Sequence, residues 1–529
     1  MKIGIIQTSP VTGDFSGNLR AIVQGYRECL DRGAELIVAS SLALCGHQPM
    51  DLAARQSFIM QTAAALDALS QEVSSVPLIL GATREFDPEE VESGEDDDAW
   101  VEDEPMEGAA GRSMIGISPY LLEKDTVTLI EEDTVHLDGG MRVHVECSSE
   151  LSLPIEEDFN ILVKLPLAPW FRGELEASEE DRAWEAGQFD STVVCVRAVG
   201  SQEGEVYAGG STVHSPDGVL RGRLPLFAAK NAVVDTDRAR PVASLPEPME
   251  QVRQALVSGI REHVNRCGFG SVCLGLSGGV DSALVAALAV EALGPENVYG
   301  LAMPSEYSSE SSIEDAYALA ANLGIFCKTV PVTPVFDAVR ASMAELFEGT
   351  EPDKTEENMQ SRIRGLFLMS YANKFGHMLL NTGNKSEALV GYCTMYGDTN
   401  GGLSPIASLY KTEVYRLCAL INAEREIIPQ NTIDKAPSAE LAPGQKDQDS
   451  LPPYEVLDAI LGHLVDRNVP AGELLADPEC PFKEEDVRRV QRLVIVSAWK
   501  RVQLPPVLHA GSCPADARAD IPVMHRLND

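Results

Sequence analysis

The chain has 529 residues, 44% of them hydrophobic, and 81 acidic residues against 42 Lys and Arg give it a formal net charge of −39. A single core rarely spans this length, so we expect two domains. Nucleic acid binding is disfavoured, because the phosphates of nucleic acids attract positive surfaces.

The eleven cysteines are scattered and include no CxxC pair. This pattern argues against a zinc ribbon, an iron–sulfur site or a disulfide framework. The opening MKIGIIQTSP has too few apolar residues for a signal peptide, and no run has the length of a membrane-spanning helix. We therefore predict a cytoplasmic protein with no membrane partner.

In chain order, the first predicted elements are a strand in MKIGIIQTSP, an amphipathic helix after Gly13, and a second strand in AELIVASSLALCGH. Further runs are VPLILGATREF, RVHVEC ending at Cys147, and FDSTVVCVRAVGSQEGEVYAGGSTVHSPDGVL from Phe189. Together they resemble the nitrilase-like glutamine amidotransferase domain over roughly residues 1–240. The resemblance implies an α/β/β/α sandwich.

That domain attacks an amide with a Cys nucleophile, a Glu base and a Lys that stabilises the oxyanion. Here Ser41 stands at the position that the resemblance gives to the Glu, and the region of the Lys carries Glu132 and Asp133 instead. Cys147 remains at the nucleophile position. We predict that Cys147 is a degenerate, inactive nucleophile that serves as a small buried hydrophobe, and that glutamine hydrolysis is lost.

An acidic segment interrupts this half of the chain: Glu85 to Glu107 includes thirteen acidic and no basic residues. We interpret residues 85–112 as a solvated or disordered insertion, because packing it would bury unpaired charge. The alternative is a docking site for a basic partner. The run RARPVASLPEPMEQ from Arg238 predicts the boundary, so the expected domains are 1–240 and 241–529.

The second half opens with an apolar run VCLGL, then SGGVDS at 277–282, then ALVAALAVEAL. This order predicts a buried strand, a glycine-rich turn and a helix, whose N–H groups and hydroxyls suit an anion. The lysine of GxxxxGK[ST] is missing, and Asp281 would repel phosphates unless Mg²⁺ bridged them. We predict a site for pyrophosphate and Mg²⁺; the alternative is a turn in which Ser and Gly only cap the helix.

The SGGVDS loop resembles that of the ATP pyrophosphatase family, whose members cleave ATP to AMP and pyrophosphate while adenylating a substrate. Further runs are ENMQSRIRG from Glu357, LLNTGNKSEALVGYCTMYGDTNGG from Leu379, LYKTEVYRL from Leu409, APSAELAPGQKD from Ala436 and WKRVQLPP from Trp499. These resemble NAD synthetase over Glu250 to Pro505. The implied fold is α/β, with a doubly wound parallel sheet following the N-terminal sandwich.

The resemblance also implies roles for single residues. ATP would contact Gly275, Leu276, Ser277, Gly278, Gly279, Val280, Asp281, Ser282, Met303, Thr382 and Lys411. Deamido-NAD would contact Asn358, Arg362, Glu387, Tyr392, Cys393, Thr394, Met395, Asp398 and Lys500. Asp281 and Lys411 would be catalytic, and Asp281 with Glu387 would hold Mg²⁺. From the residues alone, Asn358 could be a helix cap, Lys500 a solvated lysine and Tyr392 a core residue.

A carboxylate is a poor electrophile, so its amidation requires prior adenylation by ATP. We therefore predict conversion of deamido-NAD to NAD with release of AMP and diphosphate. Because the amidotransferase residues are incomplete, free ammonia is the expected nitrogen donor. The alternatives are glutamine as donor, and a nucleotide-sensing or scaffold protein without turnover. The resemblance further implies a homo-oligomer, at least a dimer.

Overall fold

Apolar runs such as KIGIIQ and LIVA form short strands with almost every side chain buried, as expected of strands covered on both faces. The computed structural model describes residues 1–86, 114–131, 134–148, 158–238 and 240–511. It contains two compact units, Met1–Pro246 and Glu247–Asp529.

Among its described residues, the N-terminal unit has two mixed sheets, a two-stranded pair and three helices. Its elements are β1 (Lys2–Gln7), α1 (Phe15–Asp31), β2 (Leu36–Ala39), α2 (Gln56–Glu72), β3 (Leu78–Phe86), β4 (Met114–Glu123), β5 (Thr126–Leu129), β6 (Thr134–Leu137), β7 (Met141–Glu146), β8 (Ile161–Lys164), α3 (Glu174–Phe189), β9 (Thr192–Cys195), β10 (Val199–Gln202), β11 (Glu205–Ala208), β12 (Thr212–His214), β13 (Leu220–Arg223) and β14 (Lys230–Asp235). A 3-10 turn spans Met50–Leu52.

The strand orders are β14-β1-β2-β3-β4-β5 and β13-β12-β9-β8-β7-β6, with β10 and β11 as a separate pair. Apolar side chains of both sheets meet in one cluster, to which Val38 and Val145 belong. Helices α1 and α2 cover the outer face of the first sheet, and α3 covers that of the second. These four layers confirm the predicted α/β/β/α sandwich.

The predicted acidic insertion is described only at its start. Glu85 and Phe86 belong to β3, so the expectation that the insertion begins at residue 85 is wrong: the strand continues to Phe86, where it pairs with β4. Residues 87–112 lie outside the described residues, as do Glu132 and Asp133.

The C-terminal unit surrounds a four-stranded sheet. Its elements are α4 (Pro248–Arg266), β15 (Val272–Gly275), α5 (Val280–Leu293), β16 (Val298–Ala302), α6 (Glu310–Leu323), β17 (Phe326–Thr329), α7 (Thr333–Met343), α8 (Lys354–Phe375), β18 (Met378–Leu379), α9 (Lys385–Val390), α10 (Lys411–Ile421), α11 (Gln430–Asp434), α12 (Tyr454–Leu461), α13 (Ala471–Ala476), α14 (Glu484–Val496) and α15 (Ala498–Arg501). Short 3-10 turns lie at Pro295–Asn297 and Asp447–Asp449, and a π turn at Gly462–Asp466.

The sheet order is β17-β16-β15-β18, and every pairing is parallel. From β15 the chain proceeds to β16 and β17 on one side, whereas β18 lies on the other. The strand order therefore reverses beside β15, and such a switch point opens a crevice at the carboxyl ends of the strands. This doubly wound parallel sheet is the predicted fold. Within the described part of the chain, no helix is long and apolar enough to cross a membrane.

Candidate active site

The SGGVDS turn follows the end of β15 and includes the first three residues of α5, at the switch point. The Ser277 and Ser282 hydroxyls lie 3.1 Å apart, and Ser277 Oγ accepts the Gly279 N–H at 3.2 Å. No side chain caps the N-terminus of α5. The first N–H groups of the helix are therefore available to an anion, together with its positive dipole end.

Gly278 permits this turn for two reasons. Its φ is +78°, a conformation that side-chain-bearing residues rarely adopt, and a Cβ here would lie 2.3 Å from the Ser312 carbonyl oxygen. The loop therefore packs directly on the first turn of α6. A larger residue at position 278 would separate the loop from α6.

The turn opens into a cavity of about 310 Å³. All eleven residues predicted to contact ATP line it, including Met303 after β16 and Thr382 after β18. The three strand ends therefore bring together residues that are more than a hundred positions apart in sequence. That these residues contact ATP stays a prediction.

Lys411 lies at the centre of the charged part of the cavity and is almost completely buried. Its ammonium is 2.5 Å from Asp281 Oδ2 and 3.1 Å from Glu387 Oε1. Asn384 donates to Asp281 Oδ1 at 2.9 Å, which fixes that carboxylate, and caps α9 by accepting the Glu387 backbone N–H at 3.0 Å. A buried cation paired in this way stays charged, and the pKa of Lys411 lies above its ordinary value because the two carboxylates outweigh burial.

Two carboxyl groups of the cavity have raised pKa values. Burial raises the pKa of Glu387 to about 7, with Lys411 opposing and Asp281 adding to the shift. Burial raises the pKa of Asp398 to about 6, although the Thr394 N–H donates to its Oδ1 at 2.5 Å. Both carboxyl groups thus bind protons more readily than exposed ones.

The residues predicted to bind deamido-NAD fall into two groups. Glu387, Tyr392, Cys393 and Asp398 line the cavity, and we call the side formed by Tyr392, Cys393 and Asp398 the wall. The other five are not among its lining residues and support the wall from behind: Asn358, Arg362, Thr394, Met395 and Lys500.

Asn358 supports this wall by accepting the Thr394 hydroxyl at 2.8 Å, and Arg362 does so by donating to the Met395 carbonyl at 3.2 Å. The helix-cap alternative for Asn358 is wrong, because Asp353 caps α8. Lys500 is not a solvated lysine, since its ammonium donates to the carbonyls of Gly391 and Cys393, each at 2.8 Å.

Further cavity residues were not predicted. Lys435, Ser312 and Glu440 form a hydrogen-bonded cluster at its rim, and the Arg364 guanidinium donates to the Met303 carbonyl at 3.0 Å. The run KAPSAEL contains both Lys435 and Glu440 and was the sequence signal from which these cavity residues could have been predicted. Only the fold shows that it returns to α6.

The predicted amidotransferase positions lie in the N-terminal unit. Ser41 is fully buried and donates to the Leu165 carbonyl at 2.6 Å, and a Cβ on Gly81 would lie 2.6 Å from its hydroxyl. Cys147 follows β7, is half-buried and packs against the apolar cluster between the sheets. Residue 41 therefore offers no carboxylate, and its hydroxyl is bound to the Leu165 carbonyl.

A buried Glu–Lys pair does exist next to Cys147 in sequence. Glu146 Oε2 lies 2.5 Å from Lys164 Nζ, and Lys164 is 3.8 Å from Glu185 of α3. Successive strand residues point to opposite faces, so Glu146 faces α3 whereas Val145 and Cys147 contact the inter-sheet cluster. The pair therefore does not replace the missing base and lysine beside the thiol.

Comparisons with known proteins cover both units. A family model described as NAD synthase matches residues 252–505. The glutamine-dependent NAD(+) synthetase of Synechocystis sp. is 38% identical over 96% of this chain and 95% of its own, and that of Rhodobacter capsulatus is 36% identical over 96% and 95%.

Solved structures are similar over nearly the whole chain. The glutamine-dependent NAD+ synthetase from Acinetobacter baumannii, in complex with adenosine diphosphate, has a TM-score of 0.74 and 27% identity, covering 98% of this chain and 97% of its own. The enzyme from Cytophaga hutchinsonii has a TM-score of 0.82 and 17% identity over 99% and 98%, a likeness in fold. The names of these relatives do not support ammonia as the only donor and agree better with the glutamine alternative.

Proposed function

The chain belongs to the NAD synthetase family, and we propose that it is a C–N bond-forming ligase that amidates deamido-NAD to NAD at the expense of ATP. The observation that carries the proposal is the SGGVDS turn at the switch point, facing the buried Lys411 between Asp281 and Glu387. This arrangement combines N–H donors, hydroxyls and a fixed cation where polyphosphate charge must be neutralised.

The reaction proceeds in two steps. The nicotinate carboxylate attacks the α-phosphorus of ATP, the bond to the β-phosphate breaks, and pyrophosphate leaves with its electron pair. Ammonia then attacks the acyl carbon of the adenylate, loses a proton, and AMP leaves with the C–O electron pair. The turn N–H groups and Lys411 stabilise the departing pyrophosphate, and positioning contributes the rest.

The donor set of the cavity suits Mg²⁺. Asp281 and Glu387 supply carboxylate oxygens, which this hard cation prefers, whereas no group of three or more His, Cys, Asp or Glu able to hold a metal occurs among the described residues. Magnesium commonly takes one or two carboxylates and completes its shell with phosphates and water. When bound, it would neutralise charge on the phosphates of ATP.

The dinucleotide lies, in this proposal, against Tyr392, Cys393 and Asp398. Thr394 and Asn358 fix this wall through the hydrogen bond described above. Asn381 adds to the support by donating to the Asp398 carbonyl at 2.5 Å. These contacts hold the wall rigid before substrate arrives, which reduces the entropy cost of binding.

Two nitrogen donors are each favoured by one observation. Glutamine is the first candidate, because relatives matching nearly the whole chain are named glutamine-dependent. Ammonia is the second, because Ser41 cannot act as a general base near neutral pH and donates to Leu165 instead. Use of glutamine requires a base other than residue 41.

The donor is tested with amide-¹⁵N glutamine and, separately, ¹⁵N ammonium. Purified protein receives ATP, Mg²⁺ and deamido-NAD, and labelled NAD and glutamate are measured. Labelled NAD with equimolar glutamate assigns glutamine as a donor. If Cys147→Ala loses the glutamine-derived NAD but keeps the ammonium-derived NAD, the Cys147 thiol is the nucleophile of glutamine hydrolysis. Labelled NAD from ammonium only would assign ammonia. No NAD from either donor would favour a nucleotide-sensing protein.

For the oligomer, we propose a dimer formed through α8. One face of this helix exposes Arg362, Leu366, Met369 and Asn373 at helical spacing, and Leu366 is 58% exposed. The same helix carries Asn358, so a second copy packed on this face would lie close to the dinucleotide wall. Leu366 and Met369 are two exposed apolar side chains about one helical turn apart, and exposed apolar groups of this kind suit an association surface.

A further inference from the structure

The segment from Lys435 to Asp447 lines one side of the cavity, and the Glu440 carboxylate joins it to the start of α6. Glu440 Oε1 accepts from Ser309 Oγ at 2.8 Å, Ser312 Oγ at 2.8 Å and Lys435 Nζ at 3.0 Å. Lys435 in turn donates to both serine hydroxyls. All donors of this cluster therefore converge on one anion, which belongs to the protein itself.

The backbone at Glu440 is strained in this position. Its φ is +49°, in the left-handed region, which residues with a side chain rarely adopt. The hydrogen bonds from Ser309, Ser312 and Lys435 lower the pKa of Glu440 against the effect of burial, so the group remains charged. The contacts of the carboxylate thus offset the strain.

Other contacts hold the segment without Glu440. Gln360 donates to the Leu441 carbonyl at 3.0 Å, and the Asp447 N–H donates to the Pro437 carbonyl at 3.2 Å. Ser438 Oγ donates to the Gln445 carbonyl at 2.6 Å. Loss of the carboxylate would therefore release only the contacts made by Glu440, not unfold the segment.

Lys435, Ser312 and Glu440 line the same cavity as the phosphate turn, and Gly278 packs on the Ser312 backbone. A phosphate group placed at the turn would meet the ammonium of Lys435 and the carboxylate of Glu440 together. The first attracts it and the second repels it. The two anions would therefore compete for the same donors.

We propose that Glu440 is an internal competitor for the phosphates of ATP: in the empty site it occupies Lys435 and the Ser309–Ser312 hydroxyls, and polyphosphate displaces it from them. This inference rests on the proposed ATP site and adds a means of keeping that site closed without nucleotide. Binding of polyphosphate then includes the cost of releasing Glu440. Removing its charge removes that cost.

The test measures binding of inorganic pyrophosphate and of a non-hydrolysable ATP analogue to the full chain by calorimetry. We expect Glu440→Gln to lower the Kd for pyrophosphate about 5- to 10-fold, which corresponds to about 1–1.4 kcal/mol. The matched control is Glu455→Gln, which removes the same charge from an exposed position on α12 and should leave the Kd unchanged. Unchanged or weaker binding in Glu440→Gln would overturn the proposal.

A second measurement uses the wild-type chain only, so it does not depend on the variant folding. Amide hydrogen exchange within residues 436–445 should become faster when pyrophosphate is added, because Glu440 leaves its partners. Slower exchange would contradict displacement. NAD formation by the same preparation keeps the two proposals apart. Normal turnover without tighter pyrophosphate binding in Glu440→Gln and without faster exchange overturns the competitor role alone. Absence of ATP-analogue binding by the wild-type chain overturns both proposals.

Discussion

Among single residues, Lys500 shows how a predicted ligand contact differs from the contact that is formed. Its ammonium donates to two carbonyls of the 391–395 segment, behind the wall that carries Tyr392 and Cys393. An ammonium used in this way fixes the backbone and does not require contact with the dinucleotide. Lys500 is therefore a positioning residue in our account.

We expect Lys500→Met to raise the KM for deamido-NAD about tenfold and to leave the KM for ATP within about twofold, because two carbonyls lose their donor and the wall loosens. Steady-state kinetics with each substrate varied in turn checks this. The conservative Lys500→Arg variant should restore most of the affinity. Equal changes in both KM values would instead indicate general destabilisation.

Asp398 predicts a pH dependence of stability. Its pKa in the folded chain, about 6, lies above the ordinary 3.8. Near pH 5 this carboxyl therefore stays protonated in the folded chain but is largely ionised in the unfolded chain. The resulting contribution to the free energy of unfolding is lost as the pH rises through 6.

Between pH 5 and pH 7, we expect the free energy of unfolding of the wild-type protein to fall by about 1 kcal/mol relative to that of Asp398→Asn, since Asn does not titrate. Urea unfolding of both proteins at a series of pH values measures this difference. A difference that is constant across the range would show that Asp398 is not protonated in the folded state.

At the scale of elements, the central feature is the contact between the phosphate turn and α6. Gly278 allows this contact because its positive φ and missing Cβ leave room for the Ser312 carbonyl. We expect Gly278→Ala to weaken binding of the ATP analogue at least tenfold and to cost about 2 kcal/mol or more of stability. Calorimetry and thermal unfolding measure the two effects.

Gly270→Ala is the matched control, since a Cβ there meets nothing within 4 Å and its φ is not positive. Binding and stability should stay close to those of the wild-type chain. If Gly278→Ala behaved in the same way, the turn would not depend on close packing against α6.

Helix α8 gives a second prediction at this scale. If its exposed face joins two copies, Leu366→Glu should convert a dimer of the full chain into monomers, because association would bury a charge. Sedimentation velocity reports the mass directly, and Leu346→Glu, on another exposed apolar side chain, is the control. A wild-type monomer would exclude the dimer, and a variant that stays dimeric would exclude this face.

Elements were predictable where a local pattern defines them. VCLGL followed by SGGVDS specifies a strand, a turn and a helix through neighbouring residues alone. The cluster of Lys435, Glu440 and Ser309 was not predictable in this way, because it joins positions up to 131 apart and depends on a left-handed residue without glycine. The start of the acidic insertion was missed for a related reason: pairing with β4 extends β3 through Phe86.

For the whole molecule, the predicted site residues have different surroundings in the two units. The C-terminal unit brings its predicted ATP residues to one cavity, whereas the N-terminal unit keeps the sandwich and the cysteine but has Ser41 at the predicted base position. A fold can persist after its site has changed, because packing of the layers does not need the catalytic groups. For the nitrogen donor, the full-length relatives therefore favour glutamine, whereas the serine at the predicted base position favours ammonia.

In our proposal, the cavity of the C-terminal unit couples ATP cleavage to NAD formation. The measurement that tests it most directly is the ratio of AMP to NAD produced from ATP, Mg²⁺, deamido-NAD and ammonium, for the wild-type chain and for Asp281→Asn. We predict one AMP and one pyrophosphate per NAD, and a rate at least a hundredfold lower in the variant. Formation of ADP instead of AMP, or undiminished NAD formation by Asp281→Asn, would contradict the account.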